Sequence, residues 1–175
     1  MSAARTTLLV MLSGVAAACE TAGPTREVFI ASQSDFAEYT TWQQFSLGVA
    51  MNSGHPVGDE LGYRNLEPEH GAYPVGTILV KEIRVGDTPQ QWELFGMMKR
   101  GGHYNPSGAM DWEFATLRLN DDLIPIILTR GANPGDADSQ GHGYGAASSG
   151  VTCNRCHGIA GTEATDHVLD EPMRP

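Results

Sequence analysis

Thr77-Ile78-Leu79-Val80-Lys81-Glu82-Ile83 is the stretch that decides the fold. It is rich in β-branched residues and bounded by Gly76 and Gly86, which signals a strand. Side chains alternate along a strand, so Thr77, Leu79, Lys81 and Ile83 share one face, and Ile78, Val80 and Glu82 the other. Lys81 therefore stands in line with apolar neighbours, where an amine needs a partner or a reaction. Its ordinary alternative is a lysine snorkelling from an edge strand. Glu82, on the opposite face, is expected as a surface charge.

The same pattern continues outward. Residues 92–99 and 112–119 read as two further strands, separated by the turn-rich stretch 101–108. Residues 123–129 make a fourth, which Pro125 demotes to an edge or a bulge. Upstream, Ser34 caps an expected helix running to about Leu47, with Phe36, Tyr39, Trp42 and Phe45 on one face. Residues 51–73 lack a clear period and read as loop, with a short strand near Tyr63. Residues 131–150 hold six glycines in twenty positions, a long loop of the kind that is functional or mobile. A short helical segment follows Val151. The expected class is α+β: a mainly antiparallel β-sheet of four to five strands, an N-terminal helix and a C-terminal helix.

The totals narrow the function classes. A chain of 175 residues reads as one domain. Lys+Arg is 11 against Asp+Glu at 21, a formal charge of −10, and Lys81 and Lys99 are the only lysines. Nucleic acid is excluded as a partner, because phosphate binding draws on clustered cations. The longest apolar run is N-terminal and shorter than the ~18–20 residues of a spanning helix. With Arg5 before it and Ala16-Ala17-Ala18 after it, that run reads as an export signal over residues 1–18. Small residues directly before Cys19 resemble a bacterial lipobox, so Cys19 is the expected lipidation site; plain cleavage near Ala18 is the alternative. The domain reading is a signal peptide at 1–18, a linker at 19–33 and a folded domain at 34–175. Removal of residues 1–18 takes away the +1 of Arg5, and −10 becomes −11. The expected location is the periplasm, with a membrane met only through a lipid anchor.

Chemistry enters at Cys153-Asn154-Arg155-Cys156-His157, the C-x-x-C-H signature of c-type haem attachment. Two thiols on one helical turn reach two vinyl groups of one porphyrin edge, and the adjacent histidine supplies an axial imidazole. Cys153 and Cys156 are thus expected to hold haem c, and His157 to be its iron ligand. The competing readings are a redox dithiol, for which no βαβ unit is visible, and a partial metal site. Only 18 residues follow His157, so a far-downstream methionine ligand is excluded. Met173, Met97, Met98 and Met110 are what remains for a sixth ligand.

The chain resembles the cytochrome P460 family from about Phe36 to Val168. The resemblance rests on Tyr73-Pro74-Val75-Gly76-Thr77-Ile78-Leu79-Val80-Lys81-Glu82, on Leu94 with Met98-Lys99, on Trp112-Glu113-Phe114, on the late C-x-x-C-H and on Asp166-His167-Val168. It implies a mostly antiparallel β fold, commonly homodimeric, with His157 proximal and a small-molecule site on the distal face. The family's lysine-to-haem covalent link implies Lys81 as the cross-linking residue, with Lys99 as fallback. One departure stands out. Hydroxylamine-oxidising members carry a glutamate where this chain has Phe95, and a phenyl ring accepts no proton. Phe95 is then an apolar distal cap, as in the gas-binding cytochromes c′-β, or an ordinary core residue, with Glu93 or Glu113 as carboxylates from another direction. The expected ligands are hydroxylamine or nitric oxide, and a redox protein is the expected partner. Plain electron transfer is a third reading. Asp166 is expected to organise the proximal segment, while Lys99, His103, His142 and His167 read as solvated.

Overall fold

Among the described residues six strands run in chain order across one antiparallel sheet: β1 (Gln43–Val49), β2 (Asp59–Arg64), β3 (Ile78–Arg84), β4 (Glu93–Lys99), β5 (Trp112–Leu119) and β6 (Pro125–Gly131). The computed structural model describes residues 26–49, 57–134, 152–159 and 161–175. The stretch 1–18 expected as an export signal, Cys19, His142 and most of the glycine-rich loop lie outside them. Every neighbouring pair is consecutive in sequence, so hairpin connections suffice to build the sheet. Pro125 opens β6, one of the two edge strands, where its missing N–H costs no interior ladder bond. The strand expected near Tyr63 is β2, and β1 takes the count to six.

Both faces of the sheet are covered. On the first face Ile78, Val80, Leu94, Met98, Ala115 and Leu117 pack with Tyr63, and the N-terminal residues Ala31, Phe36 and Tyr39 close over them. On the second face Leu79, Trp112 and Phe114 pack with Tyr73, and Ala109, Val168 and Met173 cover them, with Cys153 against the cluster. This two-sided burial explains why β3 opens on three consecutive apolar residues, Ile78-Leu79-Val80, instead of a strict alternation.

The N-terminal helix expected over 34–47 is not formed. Two 3₁₀ turns, Gln33–Phe36 and Tyr39–Thr41, lead directly into β1. Phe36 closes the first turn, Tyr39 opens the second, and Trp42 ends it with its N–H on the Tyr39 carbonyl at 3.1 Å, so the three-residue spacing spans two short 3₁₀ turns. Ser32, not Ser34, opens the segment: its backbone N–H donates to Asp35 Oδ2 at 2.6 Å, and its hydroxyl donates to the same oxygen at 2.7 Å. Phe45, placed with the helix by periodicity, belongs to β1 and packs toward the second face.

At the other end, α1 (Cys153–His157) is a single turn. The Thr152 hydroxyl caps it by accepting from the Arg155 N–H at 3.1 Å. No described helix is long and apolar enough to cross a membrane.

Glu82 is not a surface charge. It is 1% exposed and held by the Tyr39 hydroxyl at 2.6 Å and Arg84 Nε at 2.8 Å. The reason is the N-terminal cover, which turns the first face into interior.

Candidate haem-attachment site

The local order of α1 comes from side-chain contacts made inside the motif. Asn154, the first residue between the cysteines, accepts from the Ala109 N–H at 2.8 Å and from Asn105 Nδ2 at 2.7 Å, and donates back to Asn105 Oδ1 at 3.1 Å. That exchange docks the turn on the β4–β5 loop. Gly158 ends the helix against Gly108, where an added Cβ would stand 2.8 Å from the Gly108 Cα, so a side chain at 158 is excluded without rearrangement. The turn-rich stretch 101–108 therefore anchors the motif. Its visible signal was Asn105 within a glycine-flanked turn, and nothing in the sequence linked it to Asn154.

Cys153 and Cys156 are free thiols three residues apart on this turn. Burial pushes the Cys153 thiol up to about 11, so it stays protonated at neutral pH. The His157 imidazole is kept neutral by burial, which lowers its pKa. Its Nδ1 lies 2.7 Å from the His167 carbonyl oxygen, and a carbonyl only accepts, so Nδ1 carries the hydrogen. Nε2 is then the basic nitrogen, the state a metal-ligating histidine takes. The Phe114 ring lies beside this imidazole, centroids 5.3 Å apart.

The sheet brings Lys81 to the same face. In register it stands opposite Gly62 of β2 and Phe95 of β4, and directly opposed residues of a ladder point the same way. Its ammonium pairs with Glu60 Oε2 at 3.0 Å and Asp170 Oδ2 at 3.5 Å. The charges of Lys81 and Asp170 both act on His157, the first disfavouring and the second favouring its protonation. Glu60 is 5% exposed, and its Oε1 has no hydrogen-bond partner among the described residues. Sequence reasoning missed Glu60 and Asp170, which only the β2–β3 pairing and the C-terminal fold-back bring to Lys81.

Other expected positions fall elsewhere. Glu113 precedes Phe114 on β5, so strand alternation turns it to the first face, where Arg130 Nη2 holds it at 2.7 Å and Arg100 Nη1 at 3.4 Å. It is not grouped with His157 and supplies no carboxylate to that face. Glu93 opposes Ile83 at the far end of β4. Phe95 is half-buried, across from Lys81. Lys99 is no solvated strand end: it is buried, paired with Asp166 and placed over the Trp112 ring at 4.9 Å. His167 is likewise buried, while His103 is exposed. Among the methionines, Met98 packs in the first-face core and Met110 is exposed, whereas Met97 and Met173 lie in the cluster that includes Cys153.

The donor set fits a c-type haem: two unpaired thiols on one turn and an imidazole with Nε2 free of the proton, beside an apolar wall of Phe114 and Met97. No group of three or more His, Cys, Asp or Glu among the described residues is arranged to hold a metal ion by itself. Comparison with protein-family models, with curated proteins and with solved structures gives no match for this chain.

Proposed function

We propose that this chain is an exported c-type mono-haem protein of the cytochrome P460 type, with haem c attached through Cys153 and Cys156 and its iron on His157. The observation that carries the reading is the C-x-x-C-H turn with His157 Nδ1 committed to the His167 carbonyl. Lys81 on the facing sheet supports it. The bound haem supplies an iron centre at which a small nitrogen compound is ligated or oxidised. The chain's own part is to hold the imidazole, to wall the site with Phe95, Met97 and Phe114, and to present the Lys81 amine for the family-type link. Glu60 and Asp170 pair with that amine at 3.0 Å and 3.5 Å.

Two readings of the activity separate at Phe95. Hydroxylamine oxidation requires a proton acceptor near the ligand, and β4 offers a phenyl ring in the expected place. Phe95 therefore favours a gas-binding role, with nitric oxide as ligand, over dehydrogenation. Simple electron transfer requires a sixth protein ligand, for which Met97 and Met173 are on the right face. Export through residues 1–18, lipidation of Cys19, periplasmic location, homodimerisation and a redox protein partner belong to the same proposal.

The deciding experiment matures the full chain in cells equipped for cytochrome c assembly and compares ferrous spectra of wild type and Lys81→Met. A strongly red-shifted Soret band that Lys81→Met abolishes is the expected result for a cross-linked site. An ordinary five-coordinate haem c spectrum in both removes the link and puts the gas-binding reading first. A six-coordinate low-spin spectrum points to electron transfer. Absence of covalent haem on Cys153 and Cys156 overturns the whole reading.

A further inference from the structure

His157 and His167 exchange hydrogen bonds with each other's backbone. His157 Nδ1 lies 2.7 Å from the His167 carbonyl oxygen, and His167 Nδ1 lies 2.8 Å from the His157 carbonyl oxygen. The tautomer of His167 is fixed independently. The Met110 N–H donates to its Nε2 at 3.2 Å, so Nε2 is the acceptor and Nδ1 bears the hydrogen. Thr162 Oγ1 lies 2.9 Å from the same Nδ1.

This arrangement needs residue 167 in an unusual place. Asp166 and His167 both have left-handed backbones, φ 46° and φ 64°. Aspartate and histidine enter that region more readily than most residues, though at a cost. What holds them there comes from three elements. Asp166 Oδ2 accepts the Tyr73 N–H at 2.9 Å, Asp166 Oδ1 takes the Lys99 ammonium, and the Asp166 carbonyl accepts the Trp112 indole N–H at 2.8 Å. Residue 166 is thereby fixed to β4, to β5 and to the loop before β3, and the next carbonyl along the chain is the one that His157 uses. Asp166 was expected to organise the proximal segment and Lys99 to be a solvated strand end or a fallback cross-link; the two are paired instead, and the carbonyl that His157 uses lies one residue beyond Asp166.

We propose that His167 is the positioning residue of His157, and that the Asp166–Lys99 pair holds His167 in place. Its consequence at iron rests on the haem reading above. A carbonyl that takes the Nδ1 hydrogen fixes the ring and raises the basicity of Nε2, so loss of the clamp loosens the ring and weakens the bond from Nε2 to iron.

The test has one readout that needs no haem. In ¹⁵N-labelled haem-free protein near pH 7.5, His157 is expected as the single Nδ1–H tautomer. His167→Ala should bring in the Nε2–H form, and His167→Asn, which tolerates a left-handed backbone and keeps a donor, should restore the single form. Asp166→Asn weakens the Lys99 contact while retaining an acceptor for Tyr73; it should give an intermediate mixture, and it decides the matter if His167→Ala does not fold. In haem-loaded protein the same substitutions should move the ferrous iron–histidine stretching band to lower frequency with both thioethers intact. A tautomer shift in a chain that takes no haem upholds the positioning role and overturns the haem reading. A haem-loaded chain whose tautomer and stretching band ignore these substitutions overturns the positioning role and leaves the haem reading standing.

Discussion

At the scale of single residues, two chemistries depend on burial. Cys153 is held at about 11 against an ordinary 9.0, and the thiolate is the reactive form. Near pH 8 a two-unit rise lowers the thiolate fraction about 100-fold, so alkylation of Cys153 in folded, haem-free protein should be slower than in urea by that order. Timed iodoacetamide labelling with peptide mapping reads this directly, and equal rates would refute it. Phe95 is the second case, because it stands across from Lys81. Phe95→Glu puts a carboxylate on that face, and hydroxylamine turnover by haem-loaded protein should rise if the lack of a proton acceptor limits it. A fully loaded, folded variant with no gain would show that the limit lies elsewhere.

At the scale of elements, the sheet is a two-sided support, and its covers are thin. The first-face cover is two 3₁₀ turns, pinned by the Tyr39 hydroxyl on Glu82. Tyr39→Phe leaves a buried carboxylate short of a donor and should cost about 1–3 kcal/mol, measured as a lower urea midpoint with unchanged slope. The second-face cover includes Met173, whose sulfur lies over Gly62 so closely that a Cβ there would push the thioether aside. Gly62→Ala should therefore loosen the C-terminal segment, at about 1–3 kcal/mol for overpacking. Faster amide exchange in residues 168–173, with β4 and β5 unchanged, is the specific signature. Equal exchange throughout would place the strain elsewhere.

At the scale of the whole molecule, stability of the haem-free chain should fall toward both pH extremes. His157 has a folded pKa depressed below 6.5 by burial. Below about pH 6.5 the unfolded chain takes up that proton first, so stability decreases as pH falls until the folded value is reached. Cys153 has the opposite sign: from 9.0 toward about 11 the folded form keeps a proton that the unfolded form loses, and stability decreases as pH rises. His157→Gln should flatten the acid limb and Cys153→Ala the alkaline limb in denaturation series; limbs that persist in both variants would assign them to other groups. The formal charge of −10 acts over longer range, and its self-repulsion weakens with ionic strength.

Much of this architecture was legible in the chain. A β-branched run between glycines located β3, the stretches on either side of the turn-rich 101–108 located β4 and β5, and Pro125 marked β6 as an edge, because backbone sterics and the missing proline N–H act locally. The C-x-x-C-H spacing likewise placed two thiols and an imidazole on one turn. Periodicity failed at Phe36, Tyr39, Trp42 and Phe45, since a three-residue spacing fits a 3₁₀ turn as well as a helix and says nothing of the face opposite. What only the tertiary structure decided is which charges are interior. Glu82, Lys99, Glu60 and His167 look like surface residues one by one. They are buried because segments far away in sequence close both faces of the sheet, and a buried charge or imidazole persists where that same closure brings it a partner.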